Sequence, residues 1–118
     1  MWTSRLSVLI AGAALLLMHD LPLAADEVEV WVVLSEPALA TLPRDANEQR
    51  KALRQRIVRQ QDDVTAQLAA LGAIELARVQ QARNAIAVRL PSAAIESAKK
   101  IPGVTAIRRV SHRNRIGD

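Results

Sequence analysis

Side chains able to do chemistry are sparse in this chain. Past residue 25 there is one histidine, His112, and no cysteine anywhere. Ser35, Ser92, Ser97 and Ser111 lack a nucleophile context such as a Gly-x-Ser-x-Gly elbow. A serine nucleophile needs a base that a third group orients, and one histidine close to the C-terminus offers no such arrangement. Metal binding needs paired cysteines, histidines or carboxylates. Asp62-Asp63 is the nearest approach, and it reads as a solvated helix face. We therefore expect no catalysis, no metal and no cofactor.

The remaining chemistry is electrostatic and hydrophobic. The net charge is +4, and the stretch from Arg108 to Arg115 is basic. Arginines alone give nonspecific, salt-sensitive attraction to polyanions. Sequence-tolerant nucleic-acid binding also wants an aromatic platform on which bases stack. This chain has no Phe or Tyr and only Trp2 and Trp31. A nucleic acid is not the expected partner.

The first residues resemble a secretion signal. Arg5 supplies a positive start, Leu6 to Met18 is apolar, and Pro22 with Ala24-Ala25 marks a cleavage zone. The run is short for a membrane span, which needs about 20 apolar residues; an uncleaved anchor is the alternative. We expect 1-25 to be removed, a secreted or periplasmic product, and no membrane association afterwards. Losing Arg5 and Asp20 leaves the net charge at +4. An exported domain without disulfides or Phe and Tyr must rely on Val, Leu, Ile and Ala, each burying less area than an aromatic. Marginal stability and dependence on a partner follow.

The elements that would position a binding surface are readable from periodicity. Val28 to Leu34 is a strand, with Val28, Val30, Val32 and Leu34 on one face and Glu29, Trp31 and Val33 on the other. Ser35 to Arg44 reads as a loop. Asp45 and Glu48 have capping-box spacing. Leu53, Ile57, Val64, Leu68 and Leu71 then form one face of a long helix, and Gly72 ends it. Strands are expected over Ile74 to Val79, Ala85 to Leu90 and Val104 to Val110. A short helix lies between the last two, with Ser92 as its N-cap and Ile95, Ala98 and Ile101 inward. Ile107 is expected to be buried.

The order β-α-β-β-α-β closes as an α+β, ferredoxin-like fold. It has a four-stranded antiparallel sheet with both helices on one face, because the crossovers share a hand. The domain would run over 26-110, followed by an extended tail, 111-118. The other sheet face, carrying Trp31 and Val33, is left uncovered and suggests a partner surface.

The second half also resembles the end of subtilisin-family propeptides. Those show Asn-Gly-Phe-Ala-Ala, a Leu, a short helix, and Pro-Gly-Val with another aliphatic three residues on. Asn84, Ile86, Ala87, Leu90, Pro102-Gly103-Val104 and Ile107 fill these places. The opening VWVVLSEPALA, residues 30-40, and RQQDDVTAQL in the long helix are similar to those of the larger bacterial examples. The chain departs from them in having Arg108 and Arg109 where relatives carry acidic residues, Ile86 for the aromatic, and Ala85 for the Gly.

The resemblance implies an inhibitor and intramolecular chaperone of a subtilisin-like serine protease, acting in cis or in trans. Trp31 and Val33 would dock on the protease. Val110, Ser111 and His112 would enter its cleft as an added strand. The unbound domain would be a monomer. Two other readings stand beside it: a periplasmic module binding some other protein, and an RNA-binding ferredoxin-like domain.

Overall fold

The computed structural model describes residues 26-110. The secretion-signal reading of 1-25 and the tail reading of 111-118 lie outside that span. The elements are β1 (Glu27–Leu34), α1 (Asn47–Ala70), β2 (Ile74–Val79), β3 (Ala85–Pro91), α2 (Ile95–Lys99) and β4 (Val104–Arg109). Single 3-10 turns at Leu39–Thr41 and Ser92–Ala94 precede the two helices. The strands form one four-stranded sheet in the order β2-β3-β1-β4. Every neighbouring pair is antiparallel. This is the ferredoxin-like arrangement of two interlocked β-α-β halves.

Alternation along β1 decides which side is covered. Val30, Val32 and Leu34 are buried together with Ile86, Val88 and Leu90 of β3. Val64 and Leu68 of α1, and Ala98 and Ile101 at α2, close over them from one side. Each such aliphatic contributes about 1.5–3 kcal/mol when fully buried. A second cluster joins Leu39 to Leu53 and Ile57, so the β1–α1 connection is pinned to the helix. Its backbone also reaches the β2–β3 turn: Leu39 N–H donates to Gln80 O and Ala40 N–H to Gln81 O, both at 2.9 Å.

Three local expectations are corrected. The Asp45/Glu48 capping box does not form, because α1 starts at Asn47 with Ala46 as its N-cap and no side-chain cap. A tight turn, Ala46 N–H to Pro43 O at 3.2 Å, sets the N-cap one residue past Asp45 and the helix start two residues past it. Ser92 does not cap a helix with its side chain. It begins the 3-10 turn, and its N–H donates to Asp26 O at 2.8 Å. Ile107 packs against the core but is only half-buried, because β4 is an edge strand with a neighbour on one side.

Gly72 (φ 92°) follows the Leu71 C-cap and stops α1 in the left-handed conformation, whereas Gly103 (φ 96°) sits in the turn into β4 that is closed by Val104 N–H on Ile101 O at 3.1 Å. On the outer strand β2, Arg78 turns toward α1. It donates to Glu75 Oε2 and Asp62 Oδ1, both at 2.8 Å. Hydrogen bonds to Glu75 first and Asp62 second push the Arg78 guanidinium pKa further up. Asp62 is therefore a tie between helix and edge strand as well as a solvated residue.

Candidate functional site

The uncovered sheet face is built from the odd positions of β1. Trp31 lies between Ala87 of β3 and Arg108 of β4, and Val33 between Ala85 and Ala106. Ala77 and Val79 of β2 extend the same face beyond β3. Trp31 and Val33 are half-buried, while Ala85 and Ala87 are buried. One large indole thus rises from a shallow floor of small residues. The expectation that Trp31 and Val33 share the helix-free side agrees with this register.

Trp31 is not bare. The Arg83 guanidinium sits over the ring, 5.3 Å from its centroid. Such a cation–π contact contributes about 0.5–1 kcal/mol at exposed sites. It also occupies a face of the indole on which a base would stack. Sequence reasoning missed Arg83, which comes from the β2–β3 turn. Its reach to the ring depends on how that turn packs. Closer to the start of β1, Arg89 donates to Glu29 Oε2 at 3.3 Å.

Val110 is the last described residue. Its N–H donates to Glu29 O at 3.0 Å, which continues the β1–β4 ladder one step past β4. Val110 is therefore held by the sheet. Ser111 and His112 lie outside the described residues, so only Val110 of the three expected cleft residues has a described place.

A buried polar cluster was also missed. Gln61 is fully buried on the apolar stripe of α1. It donates to Val79 O and to Asn84 Oδ1, both at 3.0 Å, and accepts from Gln80 at 3.0 Å. Asn84 donates to Glu36 O and to Gln60 Oε1, both at 3.1 Å. Gln60 in turn accepts from Glu36 N–H and donates to Ser35 Oγ. Among the described residues no buried side-chain polar atom is left without a partner. The cluster fastens the β1–α1 connection and the β2–β3 turn to the helix. Its signal was the seven-residue gap between Ile57 and Val64, which Gln61 fills at helical spacing.

Chemistry elsewhere is limited. A groove of about 410 Å³ on the helical side is lined by Glu36, Arg56, Arg59 and Asp63 among others. Glu36 in it already accepts from Arg56 at 3.2 Å. Among the described residues no group of three His, Cys, Asp or Glu could hold a metal ion. No described helix is long and apolar enough to cross a membrane. Comparison with family models, curated proteins and solved structures found no match to this chain.

Proposed function

We propose that this chain is the inhibitory, chaperone-type propeptide domain of a secreted subtilisin-like serine protease, exported by its first 25 residues. One observation carries the reading. The helix-free face centred on Trp31 and Val33 adjoins the edge strand β4, which leads directly in sequence into residues 111-118. A docking face and a trailing segment at its border can engage one partner together. The resemblance of residues 28-110 to subtilisin-family propeptides names that partner.

In this mechanism the sheet face lies on the protease surface, and residues from Ser111 on extend into the substrate cleft as an added strand. Main-chain hydrogen bonds supply affinity, and the side chains of Val110, Ser111 and His112 meet the specificity pockets. Binding the finished protease blocks hydrolysis. Binding a folding protease stabilises its native surface by mass action. The domain supplies no catalytic group of its own, and is monomeric until it binds.

The test is a titration of the chain against subtilisin-family proteases, following hydrolysis of a peptide substrate. One-to-one inhibition at or below about micromolar concentration is expected. Unchanged activity of every protease, the one encoded with this chain included, would overturn the reading.

A further inference from the structure

We propose that the partner surface docked by the open sheet face is acidic, presenting carboxylates to Arg83 and Arg108 beside Trp31. This deepens the protease-docking reading and rests on it for the kind of protein, but the charge argument is independent of it. Arg108 stands directly across from Trp31 in the β1–β4 register, on the open face. Arg83 lies over the indole of the same residue. Both arginines are exposed, and neither has an ion pair among the described residues. The nearby Arg89 differs, being neutralised by Glu29. Among the described residues, the centre of the face therefore holds two guanidiniums without a carboxylate partner beside one apolar ring.

A partner burying this face must supply opposite charge at those two points or leave two cations desolvated and unpaired, which is strongly unfavourable. The guanidinium fork matches carboxylates in a bidentate way. Ala77 and Ala106 at the borders of the face carry only methyl groups, so an opposing element can bury an apolar stripe on the half-buried Trp31 and Val33. A single-stranded nucleic acid would also meet the charges. It fits less well, because Arg83 already covers the ring and Trp31 is the single aromatic side chain among the described residues.

The full chain carrying Trp2→Phe leaves Trp31 as the sole indole, so its emission reports the face directly. Three probes are titrated: a helical peptide of alanine and glutamate, its alanine–lysine counterpart, and an oligouridylate of equal charge. The glutamate peptide is expected to change Trp31 emission saturably, and the lysine peptide to do nothing. Affinity is expected to fall at least about tenfold with Arg108→Glu, and again between about 0.05 and 0.5 M salt. Arg83→Gln, which removes charge without adding a carboxylate, is expected to weaken binding with circular dichroism unchanged.

No response to the glutamate peptide, an equal response to the lysine peptide, or tighter binding of the oligouridylate overturns the inference. The same variants in protease titrations separate the two ideas. Inhibition that ignores Arg108→Glu and salt sinks the acidic surface and leaves the propeptide reading standing. Peptide binding at Trp31 by a chain that inhibits no protease does the reverse.

Discussion

Gln61 Nε2 donates to Asn84 Oδ1 at 3.0 Å, side chain to side chain, in a spot where both residues are buried. Twenty-three positions separate them in the chain, so the bond exists only when α1 and the β2–β3 turn are both in place. Removing one partner strands the other. Asn84→Ala would leave a Gln61 donor unpaired and take a donor from Glu36 O and Gln60 Oε1. A buried unsatisfied group costs about 1–3 kcal/mol. We expect a loss of that size in urea unfolding, and non-additivity with Gln61→Leu of at least about 0.5 kcal/mol. Simple additivity would mean the two side chains do not act as one network.

The two glycines with positive φ, Gly72 and Gly103, should respond differently to a methyl group. At Gly72 an added Cβ meets Pro91 at an ordinary 3.5 Å, so only the left-handed backbone opposes it. At Gly103 the Cβ would stand 2.9 Å from Gln60 Nε2, so close that the Gln60 amide must shift. Gln60 is not free to retreat, since it bonds Ser35, Glu36 and Asn84. Gly72→Ala is expected to cost about 1–2 kcal/mol from backbone strain. Gly103→Ala should cost more, with part of the excess recovered in Gly103→Ala/Gln60→Ala. Equal losses at both positions, measured by chemical unfolding, would contradict this.

Leu53 holds the second hydrophobic cluster with Leu39 and Ile57, apart from the main core. Leu53→Ala should cost about 2–5 kcal/mol in full burial terms, but the damage should begin locally. Hydrogen exchange is the check. The amides of Leu39 and Ala40, bonded across to Gln80 and Gln81, should lose protection before those of Val30 and Val88. Uniform loss would show one indivisible core.

Much of this fold is legible because it is written in periodicity. Val28, Val30, Val32 and Leu34 alternate along β1, and Leu53, Ile57, Val64 and Leu68 recur at helical spacing along α1. These patterns decide both the elements and the side each presents. Trp31 and Val33 follow from the same alternation, so the open face was readable too. What escaped was set by tertiary geometry. The capping box failed because a turn moved the helix start past Asp45. Ile107 has core-type chemistry, but only the strand order reveals that its strand is an edge. Arg83 reaches Trp31 through a turn whose shape no pattern encodes. Gln60 and Gln61 are indistinguishable by residue type, and their burial depends on what faces them.

Edge position also grades the response to a buried charge. Val32 and Ile107 are register partners on the core side, yet Val32 is fully buried and Ile107 half-buried. An unpaired carboxylate at Val32 has no route to water, which costs several kcal/mol out of a total of about 5–15 kcal/mol. Val32→Asp is expected to abolish the folded far-ultraviolet circular dichroism signal. Ile107→Asp should lower the midpoint of denaturation and leave a cooperative transition, because its carboxylate can turn outward. Complete unfolding by Ile107→Asp would mean that β4 is more deeply packed than its edge position implies.

Truncation separates what folds the domain from what inhibits. Among the described residues, the last bond of the β1–β4 ladder is Val110 N–H on Glu29 O, and the last residue packed on the hydrophobic core is Ile107. Deleting residues 111-118 removes Arg113 and Arg115 and none of these contacts. Thermal unfolding should therefore shift by less than about 2 °C, since a one kcal/mol change moves the midpoint of a domain this size by about 4–8 °C. Inhibition of a subtilisin-like protease should drop by at least about tenfold, equivalent to about 1.4 kcal/mol of lost strand addition. The sheet face alone would then bind without blocking the cleft, so the truncated chain should still compete with the intact one for the protease. If stability and inhibition fell in proportion, the trailing segment would be part of the fold and could not be the arm that enters the cleft.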